Sequence, residues 1–229
     1  MNFIKLFLVR LGCICGERTV HFLDASVNYI EVGRWMKAKG FYTSWWANSR
    51  EEMFQQLAAR VVGRRVLYLE FGVANGDSIR YWSKLLKNPD CRLHGFDTFE
   101  GLPLDWKIDK RKDAFSTGGR LPQIDDARVK FFKGLFEETL AKYVLPDYDI
   151  LVINIDCDLY SSAFFVLKSL AKYLRRGTYI YFDEFCDRNN ELRAFRDFMS
   201  GSDKRFRLVG ANKTYCHAVF ECVDEPLSS

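Results

Sequence analysis

Residues 67–78 read Leu-Tyr-Leu-Glu-Phe-Gly-Val-Ala-Asn-Gly-Asp-Ser, and this stretch constrains the fold more than any other in the chain. An apolar run stops at Glu70, glycines follow at 72 and 76, and a helix-compatible sequence begins. A strand that feeds a glycine turn and then a helix N-terminus is how an open α/β sheet builds its ligand-binding edge. Asp97 lies 21 residues beyond Gly76, after a second apolar run. Two such carboxylates predict a ligand that carries a ribose and a second polar group.

The glycine spacing narrows the ligand. Glu70-x-Gly72-x-x-x-Gly76 differs from the dinucleotide pattern G-x-G-x-x-G. Asp77 places a negative charge at the helix start, which disfavours phosphate, and Ser78 offers a hydroxyl to a carboxylate. A ligand with an ammonium, a carboxylate and a ribose fits better than NAD, and S-adenosylmethionine is such a ligand. The glycines are also expected to let the backbone approach that ligand closely.

From residue 65 strands and helices alternate. Strands are predicted at 66–71, 91–96, 129–133, 149–155 and 178–182, and helices at 78–86, 137–143, 163–173 and 190–199. The segments 206–209 and 214–220 read as a terminal hairpin-like pair. This order predicts an α/β fold with a doubly wound, mostly parallel seven-stranded sheet, Rossmann-like in organisation. Residues 61–229 form its ligand-binding domain, and residues 1–60 read as a helical N-terminal arm. Helices are expected in the arm at 27–36 and 51–62, the second capped by Asn48-Ser49. Residues 101–128 break the alternation with Pro103, Gly118-Gly119 and Pro122. A loop of that length directly after Asp97 predicts a lid or substrate loop.

Composition excludes several classes. The 34 Lys and Arg against 30 Asp and Glu give a net charge of only +4, spread along the chain. No basic stripe interleaved with aromatics marks a nucleic-acid binder. The seven cysteines contain no CxxC pair, so neither a zinc site nor a thioredoxin motif is indicated. Cys157, Cys186 and Cys216 fall in or beside strands and are expected to be small buried hydrophobes of a cytoplasmic protein. The apolar N-terminal stretch, interrupted by Lys5 and Arg10, is shorter than the ~20 residues of a transmembrane span. It is expected to pack on the domain or on another subunit, making a homo-oligomer, with a helix lying on a membrane surface as the alternative.

Two further acidic motifs fall at predicted strand ends. Asn154-Ile155-Asp156-Cys157-Asp158 closes the fourth strand, and Asp183-Glu184 closes the fifth. Ligands bind at the carboxyl ends of such strands, so these acids are expected to converge on one cleft. Like charges there repel unless a cation joins them, and hard oxygen ligands suit Mg²⁺. Such an ion would orient a substrate hydroxyl and lower its pKa. Ser161-Ser162 is expected to cap the next helix. His94, in a strand near Asp97, reads as core rather than as a base, and no Gly-x-Ser-x-Gly elbow is present.

Gly95-Phe96-Asp97-Thr98-Phe99-Glu100-Gly101-Leu102-Pro103 closely resembles the "FDSFEGLP" signature of the macrocin O-methyltransferase family. Residues 155–162, Ile-Asp-Cys-Asp-Leu-Tyr-Ser-Ser, are similar to that family's "IDxDLYxS" motif, and Asp183-Glu184-Phe185 to its "DDY" metal motif. The family consists of class I S-adenosylmethionine-dependent methyltransferases. The resemblance implies that Glu70, Gly72, Gly76, Ser78, Asp97 and Thr98 hold the cofactor, with Asp97 on the ribose. It implies that Asp156, Asp183 and Glu184 take a divalent metal, and that Asp156 and Asp183 carry the catalysis. Glu184 and Phe185 depart from the pattern, which puts metal dependence in question.

The expected activity is O-methylation of a small hydroxylated acceptor, such as a sugar, a polyketide or a phenol-like compound. An NAD-type oxidoreductase and a non-catalytic cofactor-binding protein are the alternatives on such a sheet.

Overall fold

The computed structural model describes residues 2–102 and 115–223. Eight strands form one sheet in the order β1-β7-β8-β6-β5-β2-β3-β4. The strands predicted from the apolar runs are β2 (Val66–Phe71), β3 (Arg92–Asp97), β4 (Val129–Lys133), β5 (Ile150–Ile155) and β6 (Tyr179–Phe182). These five pair in parallel. The terminal pair is β7 (Arg205–Asn212) and β8 (Ala218–Val223), with β8 antiparallel to both β6 and β7. All six residues of β2 are buried, as is most of β5, which is the pattern of strands covered on both faces.

The eighth strand lies outside the predicted seven. Trp46–Ala47 forms β1, which pairs in parallel with Ala211 and Asn212 at the edge of β7. Two residues leave no alternation to read, so only the tertiary pairing identifies β1 as a strand. Its neighbour Trp45 packs where a Cβ on Gly210 would otherwise project. Next to that glycine, the β7–β8 register shifts between Leu208 and Gly210.

Helices cover both faces. They are α1 (Asn2–Gly12), α2 (Glu17–Ala38), α3 (Arg50–Arg60), α4 (Asp77–Leu85), α5 (Phe136–Lys142), α6 (Tyr160–Leu170) and α7 (Glu191–Ser200). One face of the sheet packs around Phe71, Ile155, Phe182 and Phe195, and the other around Phe54, Tyr68, Trp82 and Tyr181. The helix α3 contributes Met53, Phe54 and Leu57 to the second core, all fully buried. Its N-cap follows the sequence expectation: Ser49 Oγ accepts from the Glu52 amide at 3.1 Å, while Glu52 reaches back to the Asn48 amide at 2.8 Å.

The α6 cap differs from the expectation. Ser161 and Ser162 lie inside the first turn, and Leu159 at the N-cap makes no side-chain bond. The Tyr160 amide instead donates to Asn190 Oδ1 at 3.1 Å, a partner 30 residues away. His94 is a core residue, as read from the sequence: its Nδ1 and the Tyr143 hydroxyl lie 2.6 Å apart. Burial pushes its pKa down to about 4, with Lys130 and Arg92 acting in the same direction.

Candidate active site

The strand order reverses between β2 and β5, the switch point at which open α/β sheets bind ligands. A cavity of about 790 Å³ opens there, at the carboxyl ends of β2, β3, β5 and β6. That is within the roughly 300–1,000 Å³ of small-molecule sites. One side is the glycine turn, with Gly72, Val73, Ala74 and Ser78. The floor is acidic, with Asp97, Asp156, Asp158, Asp183 and Glu184. Leu102, Phe115, Leu135 and Phe136 supply an apolar wall.

Of the residues singled out in the sequence, Gly72, Ser78, Asp97, Thr98, Asp156, Asp183 and Glu184 line this cavity, and Glu70 and Gly76 do not. Both glycines also stand against other parts of the protein. Gly72 has φ 91°, and a Cβ there would overlap the Asp156 carbonyl across the β2–β5 crevice. Gly76, at φ 76°, is the N-cap of α4, and a Cβ would press on Pro122. The turn is thus shaped by the end of the neighbouring strand β5 and by Pro122 in the 101–128 loop. That loop contributes Gly101, Leu102 and Phe115 to the cavity, and the Gly119 amide ties it to the Phe99 carbonyl at 2.8 Å. Its residues 103–114, including Pro103, lie outside the described residues.

Asp97 organises the turn. Its Oδ2 accepts from the amides of Val73 and Ala74 at 2.7 and 2.9 Å, and its Oδ1 from the Phe99 amide at 2.7 Å. These bonds hold Ala74 at φ 46° and Phe99 at φ 62°, a conformation that non-glycine residues adopt only when over-determined. Thr98 closes its own turn, donating to the Gly101 carbonyl at 3.1 Å and accepting from the Glu100 amide at 3.2 Å. Glu70 is 1% exposed and accepts from the Tyr68 hydroxyl at 2.5 Å. Burial pushes its pKa up to about 8, against the hydrogen bonds from Tyr68 and Asn154.

The two central acids have different surroundings. Asp183 Oδ1 accepts from the Tyr181 hydroxyl at 2.7 Å and lies 3.3 Å from His217 Nδ1. Burial raises the Asp183 pKa, but the bonds from His217 and Tyr181 outweigh it and the carboxyl ends below its usual range. Asp156 is held well above that range by burial and by the charges of Asp183 and Asp158. Two neighbouring carboxylates pushed apart in this way are a signature of acid–base sites. Below Glu184, the fully buried Glu191 accepts from the Glu184 amide at 3.0 Å and fixes that turn.

Sequence reasoning missed Arg50. This first residue of α3 reaches the cavity, where its Nη1 lies 3.8 Å from Asp156 Oδ2 and 3.7 Å from Asp183 Oδ1. The positive charge beside the converging acids is thus a guanidinium from the N-terminal segment. Among the described residues, no three His, Cys, Asp or Glu side chains are grouped to hold a metal ion. With Arg50 between Asp156 and Asp183, the residues do not fit the divalent ion expected from the sequence. S-adenosylmethionine does fit: the cavity pairs an apolar wall with the Ser78 hydroxyl at a helix start and with acids that face a ribose or an ammonium.

The sheet order and the place of this cleft are those of the Rossmann-like class I methyltransferase fold. A family model described as macrocin-O-methyltransferase matches residues 108–205, so the resemblance read from the motifs holds. That match takes in the acids that end β5 and β6. Among solved structures, the chain is similar to CalS11, a calicheamicin methyltransferase, at 21% identity and a TM-score of 0.59, over 76% of this chain and 77% of that one. It is similar to the O-methyltransferase NovP at 20% identity and 0.56, over 76% and 80%. It is also similar to TomG of Streptomyces achromogenes, solved with S-adenosylmethionine, at 18% identity and 0.51, over 78% and 82%. These likenesses bear out the fold. Comparison by sequence with curated proteins gives no match.

Proposed function

We propose that this protein transfers a methyl group from S-adenosylmethionine to a hydroxyl oxygen of a small molecule of the sugar, polyketide or phenol class. One observation carries the reading: the glycine turn and the Asp156–Asp183 pair open into the same cavity. When bound, the cofactor supplies a sulfonium methyl group that an acceptor oxygen attacks in line as the carbon–sulfur bond breaks. The protein's task is then to position the acceptor and to receive its proton. Asp156 and Asp183, at the ends of adjacent strands β5 and β6, face the space in which the acceptor hydroxyl must lie. Asp183 is fixed by Tyr181 and His217, and the pair takes the proton as the new oxygen–carbon bond forms. Leu135 and Phe136 supply apolar surface for the acceptor's carbon skeleton.

Calorimetry with S-adenosylhomocysteine tests the cofactor, and micromolar binding is expected. Asp183→Asn should remove turnover on any acceptor found while leaving that affinity within about threefold. Failure of the intact protein to bind S-adenosylhomocysteine would sink the reading.

The arm supports assembly of copies of the chain. No residue of α1 is buried, and Phe3, Ile4, Phe7 and Val9 are all exposed. No helix among the described residues is long and apolar enough to cross a membrane.

A further inference from the structure

We infer that Arg50 is a built-in cation that does the work of a divalent ion in this cleft, so that the wild-type protein does not retain one. The inference rests on the methyl-transfer reading above for its catalytic meaning, but its physical basis is the packing around Arg50.

Two carboxyl groups at adjacent strand ends repel when both are ionised, and a positive charge beside them favours the doubly ionised pair. Here the guanidinium meets one oxygen of each, at 3.8 Å on Asp156 and 3.7 Å on Asp183. Its position is set by the fold. Arg50 follows directly on the Ser49 cap, and α3 is anchored by buried Met53, Phe54 and Leu57. Phe54 meets Tyr181 edge-on, with ring centroids 4.9 Å apart, and Tyr181 donates to Asp183. The helix that carries the cation is therefore packed against the residue that orients its anion. A divalent ion placed between Asp156 and Asp183 would have to expel Arg50 and leave that guanidinium without its partners.

In the reaction, the same cation stabilises negative charge on the acceptor oxygen as its proton leaves, which is the electrostatic part of what a metal supplies. Arg50 is a positioning residue for the two acids and a charge partner for the oxygen between them.

Mn²⁺ binding, followed by electron paramagnetic resonance on the full chain, tests this without reference to turnover. The wild type and Arg50→Lys are expected to bind Mn²⁺ no tighter than millimolar. Arg50→Gln and Arg50→Met are expected to gain at least tenfold in affinity, and adding Asp183→Asn is expected to abolish the gain. Melting curves in EDTA and in Mg²⁺ give a second readout: they should coincide for the wild type and separate for Arg50→Gln. Micromolar Mn²⁺ binding by the wild type, or no gain in the folded Arg50 variants, would overturn the inference. S-adenosylhomocysteine affinity in the same samples keeps the two readings apart. Its loss in the wild type would end the methyltransferase reading and leave the Mn²⁺ result to decide on Arg50.

Discussion

Asp97 Oδ2 accepts the Val73 amide at 2.7 Å, so the carboxylate at the end of β3 fastens the first residue after Gly72. The Ala74 amide shares that oxygen at 2.9 Å, and Phe99 bonds the other at 2.7 Å. Hydrogen bonds to a charged group contribute about 1.5–3 kcal/mol each. Asp97→Asn cannot accept on both sides and is expected to destabilise the fold by about 2 kcal/mol, read in urea denaturation. Because the turn lines the cavity, S-adenosylhomocysteine affinity should fall in parallel, by tenfold or more. A variant with full stability and weakened ligand binding would assign Asp97 to the ligand alone.

Glu70 gives a pH signature of its own. Its pKa is pushed up to about 8 by burial, so the folded protein favours the protonated acid. For a carboxyl raised in the native state, the unfolded chain releases its proton first as pH rises. The stability that Glu70 contributes is therefore complete below about pH 4.5 and is lost progressively toward pH 8. Glu70→Gln keeps the shape without the ionisation. Relative to the wild type it should gain up to about 4 kcal/mol between pH 5 and pH 8. A flat difference across that range in paired denaturation curves would contradict the assignment.

Gly72→Ala tests the crevice between β2 and β5. The new methyl group would overlap the Asp156 carbonyl and sit on a backbone at φ 91°. A loss of about 2–4 kcal/mol is expected from strain of this kind. The displacement falls on Asp156, so any acceptor methylation should drop more steeply than cofactor affinity. Gly118→Ala, with no atom within 4 Å of the added group, is the control for a left-handed glycine without crowding.

Cys186 and Cys216 lie closer than two separate core cysteines would. Their sulfurs are 2.6 Å apart, and Cys216 is only half-buried. A hydrogen bond from Cys186 pulls the Cys216 thiol down to about 6, against burial. Iodoacetamide at pH 7 should label Cys216 well ahead of buried Cys186 and Cys222, as read by peptide mass spectrometry. Cys186→Ala removes the donor and should move the half-point of Cys216 labelling to higher pH. An unchanged labelling profile would remove Cys186 as the cause.

The arm makes a prediction about size. α1 exposes apolar side chains along its whole length, with Phe3 81% exposed and Ile14 beyond it likewise. Light scattering on the full chain should give more than one copy, and removal of residues 1–16 should reduce it to a single copy. The same oligomer before and after truncation would place the contact elsewhere.

Much of the sheet follows from local pattern, because strands buried on both faces must be apolar throughout. Val66–Phe71 and Val129–Lys133 have the bounds read from the sequence, and the other helices and strands of residues 65–200 shift at their ends by one to three residues. The acids at 97, 156 and 183 were legible for a related reason: a carboxylate that ends an apolar run has only the strand's carboxyl edge to occupy. Pairing and partners were not legible. Trp46–Ala47 becomes a strand only because β7 offers an edge, and α6 takes its cap from Asn190, far along the chain. That Gly72 also stands against the Asp156 carbonyl of the neighbouring strand end is a contact the local sequence does not show. Arg50 carried no signal in its own neighbourhood, since an arginine after a capping serine usually faces solvent. The sequence determined that acids would gather at one edge of a parallel sheet, through hydrophobic periodicity alone. Only the tertiary structure decided what balances them, because that depends on how α3 packs and brings Arg50 to 3.7 Å from Asp183.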